Sequence, residues 1–392
     1  MRVVDLAPLA AAADAEDALV ALFVVLLAAK IGDELFKRLG QAALVGEILA
    51  GLVIGPSLLG LVEPSETLEV FAELGVVFLL FWVGLETKLS DMREVGATAS
   101  RVGVSGVVVP ALAGYGAAAA LGENTETSVF VGAALVATSV GITSAVLVEL
   151  KLLGTAAART ILGAAVLDDI LAMVLLAIAV GVAESGGVDV VSILVVVGLA
   201  LAFVLFVGLG GTRVVARWPD VFRAPRFSES PLLPAVILCL GLAAFAAQIG
   251  LAAIIGAFLA GMVVAESKDK HDFEQEVGPL YAFFPPFFFV YIGLQVDLDA
   301  FGDPGVLLAL LGISVLAAVT KLVPAWLAAR PLGPREARIV GIGMIPRGEV
   351  GIIVAGIGSS AGVIDDDLFA VIVGMSIVTT LAVPPVLRKF SA

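Results

Sequence analysis

The sequence predicts an all-α polytopic membrane protein with 13 transmembrane helices, arranged as two inverted six-helix repeats around a linking helix. Three observations predict it. Hydrophobic residues make up 60% of the 392 positions, and mean hydropathy is +1.11, whereas a soluble domain rarely exceeds about half apolar. The basic residues recur at alternate connections between apolar runs. Two runs in corresponding places of the two halves are interrupted by Gly, Pro or hydroxyl residues.

The apolar runs are continuous for about 20 residues, the length of a membrane-crossing helix. A barrel would alternate polar and apolar residues instead. The expected spans run over 18–36, 42–61, 68–87, 100–121, 127–149, 157–183, 189–212, 231–248, 250–265, 279–296, 304–328, 337–358 and 366–387. Basic residues fall at the first connection (Lys30, Lys37, Arg38), the third (Lys88, Arg93, Arg101) and the fifth (Lys151, Arg159). They recur at the seventh (Arg213, Arg217, Arg223, Arg226), the ninth (Lys268, Lys270), the eleventh (Arg330, Arg335, Arg338) and the end (Arg388, Lys389). The connections between these carry acids or none. On this count 19 of the 22 basic residues share one side. The positive-inside rule then puts the N-terminus outside and the C-terminus in the cytoplasm of a multi-pass plasma-membrane protein.

Thirteen spans divide into a first repeat (1–183), a linking helix with a cytoplasmic loop (184–230) and a second repeat (231–392). Span five contains Ala137-Thr-Ser-Val-Gly-Ile-Thr-Ser144 and span twelve contains Gly341-Ile-Gly-Met-Ile-Pro-Arg-Gly-Glu-Val-Gly351. Paired interruptions of this kind point to crossed, broken helices around a site at the membrane midplane. The plainer reading is that Gly and Thr permit close helix packing. Proline in span twelve favours the break, because it removes a helical donor.

Ionisable residues inside the spans carry the chemistry. Asp168 and Asp169 lie near the middle of Ile161–Val180. Each ionised acid at a helix centre costs roughly 2.5–3.5 kcal/mol on the mildest insertion scale. Such a pair can bind a cation, bind protons, or exchange one for the other. Neighbours on a helix point about 100° apart, so one can take a partner while the other faces a cavity. Lys321, in span eleven, either snorkels toward the inner surface or pairs with Asp168 and is released when that acid protonates. Arg347 and Glu349 flank the break beside Pro346 and suit a structural, charge-compensating role at broken-helix ends. Glu47 and Glu86 are weaker candidates.

Other chemistry is excluded. Cys239 is the single cysteine and His271 the single histidine, so neither an intrachain disulfide nor a His/Cys metal cluster can form. A net charge of −14 opposes nucleic-acid partners. The first 17 residues lack a basic n-region leading into a short apolar core, so no cleaved signal peptide is expected. No soluble domain is expected after Ala392. Neither an enzyme nor a cofactor is predicted.

The motifs Val45-Gly-Glu-Ile-Leu-Ala-Gly-Leu-Val-Ile-Gly-Pro-Ser57, Glu73–Glu86, Ala137-Thr-Ser-Val-Gly141, Leu167-Asp-Asp-Ile170, Phe287–Leu294 and Arg347-Gly-Glu-Val-Gly351 together resemble the monovalent cation:proton antiporter superfamily. The resemblance covers nearly the whole chain and is to the paired-aspartate branch of bacterial NapA- and NhaA-type exchangers. Glutathione-gated potassium efflux members are similar but carry Gln-Asp where this chain has Asp-Asp. The resemblance implies that Asp169 binds the cation in competition with protons and that Asp168 pairs with Lys321. It further implies that Thr138, Ser139 and Gly141 shape a broken-helix cavity, with Thr138 joining both acids around Na⁺. A homodimer is implied, with a core of spans four to six and eleven to thirteen sliding against a dimerisation unit. The implied activity is electrogenic, secondary-active exchange of cytoplasmic sodium for external protons. A K⁺/H⁺ or broad monovalent-cation exchanger, also admitting Li⁺, is the alternative within the fold. A gated cation channel is the alternative outside it.

The acidic composition gives a prediction of its own. Adaptation to high salt, where screening removes self-repulsion, would make the chain lose fold or activity in dilute buffer. Thermal unfolding across an ionic-strength series checks this, and full stability at low salt contradicts it.

Overall fold

The computed structural model describes residues 7–39, 41–87, 89–185, 190–217, 232–266 and 270–391. Regular structure among them is helical throughout. In chain order the helices are α1 (Ala7–Arg38), α2 (Ala43–Ile54), α3 (Glu66–Leu85), α4 (Leu89–Ala120), α5 (Thr125–Ala134), α6 (Val140–Glu149) and α7 (Ala156–Ser185). Then come α8 (Val190–Leu205), a π-helical turn (Phe206–Gly211) and α9 (Thr212–Arg217). They are followed by α10 (Leu232–Gln248), α11 (Ala253–Ala265), α12 (Lys270–Phe283), α13 (Pro285–Leu294), α14 (Pro304–Ala328), α15 (Pro334–Gly343), α16 (Glu349–Ser360) and α17 (Asp366–Ser391). Arg2, Lys88, Asp189, Arg223, Arg226 and Lys268 lie outside the described residues, as do the side chains of Arg93, His271 and Glu349.

Both expected interruptions are real breaks. Residues 135–139 separate α5 from α6, and residues 344–348 separate α15 from α16. Six stretches among the described residues are long and apolar enough to cross a membrane: α3, α4, α7, the α12–α13 pair, α14 and α17. Other expected spans are shorter than a bilayer requires. α2, α10 and α11 have 12, 17 and 13 residues, against the roughly 20 of an upright span. Local chemistry explains two of these ends. α2 stops ahead of Gly55-Pro56, as the residue before a proline disfavours helix, and the chain folds back through Gly60, at φ +58°. α10 ends in a turn at Gly250, φ +81°, where Leu251 N–H bonds the Ala246 carbonyl at 2.9 Å. Span ten bends at Phe284, where Pro285 and Pro286 start α13.

Side-chain caps fix the starts of α5, α14 and α17. The Asn124 side chain accepts from Thr127 N–H at 2.8 Å. The Asp303 side chain accepts from Gly305 N–H. Asp365 accepts from Leu368 N–H at 2.8 Å, and α17 carries Asp366 and Asp367 in its first turn and Arg388 and Lys389 in its last, the polarity its dipole favours.

The chain forms two compact units, Met1–Val76 with Ala282–Asp299 and Val77–Tyr281 with Ala300–Ala392. In the first, Val25, Ile54, Phe287 and Val290 centre a core joining α1, α2 and α13. Small residues set the approach of α2 to α13: a Cβ on Gly293 would overlap the Ile48 carbonyl, and one on Gly51 would overlap the Val290 carbonyl. In the second unit α4 packs on α5, α7 and α14, while α17 packs on α14, α15 and α16. Phe130, Leu135, Leu310, Ile372 and Met375 lie in the core there.

Gly293→Ala should therefore cost roughly 1–3 kcal/mol through overpacking. Gly312→Ala, with nothing within 4 Å of its added carbon, should be neutral or slightly stabilising. Melting temperatures of the purified variants in detergent compare the two.

Candidate functional site

α7 holds Asp168 and Asp169 at mid-helix, and its start is pinned twice. Thr155 Oγ1 accepts from Ala158 N–H at 3.2 Å, and the Glu336 carboxylate of α15 accepts from Ala157 N–H at 2.6 Å.

Asp168 is fully buried, and both of its oxygens are engaged. Oδ1 accepts from Lys321 Nζ at 2.6 Å, and both side chains have 0% exposure. Lys321 therefore does not snorkel; α14 delivers it to the α7 acid. Oδ2 accepts from the Thr138 backbone N–H at 2.8 Å. That donor is available because the chain is unwound between α5 and α6, so no helical carbonyl claims it.

The two breaks are bonded to each other. Ser139 N–H donates to the Pro346 carbonyl at 2.9 Å, and Thr143 Oγ1 donates to the Gly343 carbonyl at 2.7 Å. Contact is close: a Cβ on Gly348 would lie 2.6 Å from Ser139 Oγ. α17 holds the second break from its other side. Arg347 N–H donates to Thr379 Oγ1 at 3.1 Å, and Thr380 Oγ1 donates to the Arg347 carbonyl at 3.0 Å.

The Arg347 guanidinium is buried. Nη2 donates to the Ala317 carbonyl of α14 at 3.1 Å, while Nε and Nη1 have no hydrogen-bond partner among the described residues. It lies close enough to interact electrostatically with Asp168 and Lys321. Arg347 belongs to the break rather than to a helix, because α16 begins at Glu349.

Asp169, 4% exposed, points elsewhere. It lines a cavity of about 10 Å³ with Val140, Leu162, Val166, Leu80 of α3, and Ile254 and Phe258 of α11. That volume holds about one water molecule. Val140 is the first residue of α6, whose N-terminal partial charge favours an anion.

The structure thus gathers Asp168, Lys321, Thr138, Ser139 and Arg347 around one crossing, with Asp169 on a neighbouring face of its helix. Thr138 serves Asp168 through its main chain; its hydroxyl has no partner among the described residues. Gly141 is buried in the first turn of α6. Glu86 is exposed at the end of α3. Glu47 is buried on α2 and feels the charge of Lys30.

The transmembrane sodium/hydrogen exchanger family matches residues 20–389. The chain belongs to the sodium/hydrogen exchanger family. Its members are transporters, not enzymes. Among its relatives, the Na(+)/H(+)-K(+) antiporter GerN of Bacillus cereus is 36% identical over 93% of this chain and 94% of its own. The high-affinity Na(+)/H(+) antiporter NhaS3 of Synechocystis is 33% identical over 94% of this chain and 89% of its own. The sodium proton antiporter MjNhaP1 of Methanocaldococcus jannaschii at pH 8 shares the fold, with a TM-score of 0.65 at 17% identity, over 95% of this chain and 97% of that one.

Sequence reasoning missed two parts of this exchanger's site. Thr379 and Thr380 were signalled by Ser376-Ile-Val-Thr-Thr380, a hydroxyl cluster in an apolar helix. The apolar lining around Asp169 carries no signal, because Leu80, Ile254 and Phe258 look like any other membrane residues.

Removing one partner of a buried ion pair costs roughly 3–5 kcal/mol, while replacing both by apolar groups is often neutral. Lys321→Met should therefore destabilise the protein by that amount, and Asp168→Leu with Lys321→Met by clearly less. A double-mutant cycle on thermal unfolding checks the coupling.

Proposed function

We propose that this exchanger is a sodium/proton antiporter of the paired-aspartate branch, with Asp169 as the shared cation and proton site. The observation that carries this is the division of the acids. Asp168 is held in the ion pair with Lys321 and by Thr138, and Asp169, on a different face of the helix, lines a water-sized cavity. A cation and a proton competing for one carboxylate are coupled as soon as access alternates between the two sides.

In this reading Asp168 and Lys321 form a proton-linked switch. Protonating Asp168 removes the charge that holds the lysine; when sodium at Asp169 displaces the protons of both acids, Lys321 pairs with Asp168 again and two protons leave for one cation. More than one proton per sodium would follow, making exchange electrogenic. Thr138 and Ser139 offer oxygens at the unwound segment, and Arg347 offsets acid charge at the crossing, with Glu349 beside it in sequence. The inverted thirteen-span arrangement, the N-out orientation, the homodimer and an elevator motion of the core complete the proposal. They are supported by the alternation of basic residues and by the bonded pair of breaks.

Potassium is the second reading for the cation, favoured by the Na(+)/H(+)-K(+) designation of the Bacillus cereus relative. Carboxylate and hydroxyl oxygens offer both ions the same ligand types.

Reconstituted vesicles with an imposed pH gradient test this. Adding Na⁺ should collapse the gradient in the parent, and Asp169→Asn should abolish the response. A variant that still exchanges removes Asp169 from the role. Parallel additions of Li⁺ and K⁺ read out selectivity. Acceleration by a clamp on the membrane potential distinguishes electrogenic from neutral exchange.

A further inference from the structure

α4 and α14 pass each other antiparallel: Gly106 lies beside Lys321, and Arg101 lies near Ala328. Away from the buried site their surfaces do not close. An open groove of about 770 Å³ separates them, walled by Val104, Val108 and Val109 of α4 and by Pro324 and Leu327 of α14, with Arg101 at one end. Val104 and Val108 are 49% and 47% exposed, so the groove opens to the surroundings rather than to the protein core.

Its two ends differ in chemistry. The Arg101 end is where α14 gives way to the basic connection at Arg330, whose guanidinium stacks 4.4 Å from the Trp326 ring. A tryptophan beside arginine marks interfacial depth in a membrane. Arg101 itself is exposed and has no hydrogen bond or ion pair among the described residues, unlike nearby Arg159, which meets Glu94 at 3.3 Å. Toward Val109 the groove is apolar. Eight residues of helix separate Arg101 from Val109, about 12 Å of rise, or most of one leaflet of a roughly 30 Å hydrocarbon core.

We propose that this groove seats one anionic phospholipid of the leaflet on the basic-loop side, with its phosphate at Arg101 and an acyl chain along Val104, Val108 and Leu327. Charge complementarity selects the occupant. A guanidinium with no ion pair among the described residues, above an apolar channel, matches a negative headgroup on a hydrocarbon chain, while an extended protein segment would need partners for its main-chain groups at this depth. The lipid chain would lie against the outer wall of the site: a Cβ on Gly106 would be 3.4 Å from Lys321 Nζ.

Native mass spectrometry of the purified full chain tests the seat, using phosphatidylglycerol and phosphatidylcholine with identical acyl chains. The parent should retain one phosphatidylglycerol in preference to phosphatidylcholine. Arg101→Gln should weaken phosphatidylglycerol about five-fold and leave phosphatidylcholine unchanged. Val108→Trp, which fills the groove, should weaken both. Equal retention of the two lipids by the parent, or unaltered phosphatidylglycerol retention by Arg101→Gln, overturns the proposal.

Discussion

A carboxylate and an ammonium, both sealed from solvent 2.6 Å apart, set the terms for the second unit of this protein. Neither charge survives alone at that depth, because each would keep its desolvation cost without the compensating attraction. α7 and α14 therefore have to meet at one register. The second oxygen of Asp168 still needs a donor, and the unwound chain at Thr138 supplies it. Straightening α5 and α6 into one helix would return that N–H to a helical carbonyl and leave the carboxylate half-satisfied. The break and the acid thus require each other.

The same reasoning extends to the second break. Unwound main chain in a membrane must find partners within the protein. Ser139 gives its N–H to Pro346, and Thr379 and Thr380 take both main-chain groups of Arg347. Three separated stretches of sequence are thereby locked at a crossing only a few residues wide. Proline and glycine, which disrupt helices, are the residues that make this arrangement possible. Pro346 keeps its carbonyl out of a helix, and Gly348 leaves room for Ser139.

Much of this was legible because the sequence breaks the rules of its own composition. Adjacent aspartates in an apolar run, a lysine in a span, and Gly-Pro interruptions all stand out against alanine, leucine and valine. What stayed hidden has no compositional contrast. Which face of α7 each acid takes depends on helix rotation, and the 100° offset shows only that the faces differ. The lining of the Asp169 cavity consists of residues that could occupy any membrane helix. The thirteen-span pattern also overlooked how Gly55-Pro56 cuts α2 to 12 residues, although the dipeptide is plain in the sequence. Hydropathy averages over a window and cannot register where a helix stops.

The buried guanidinium of Arg347 has a consequence for how this protein meets a membrane voltage. With both acids ionised, Asp168, Asp169, Lys321 and Arg347 sum to zero. An elementary charge moved through the whole field at 100 mV changes energy by about 2.3 kcal/mol. Without the arginine the same cluster would carry one net negative charge, and a displacement of the empty site would be driven or resisted by that field. With it, on the proposed reading, the voltage acts on what is loaded at Asp169 and on the proton carried by Asp168. The electrical sensitivity of the site would then reside in its cargo rather than in its scaffold.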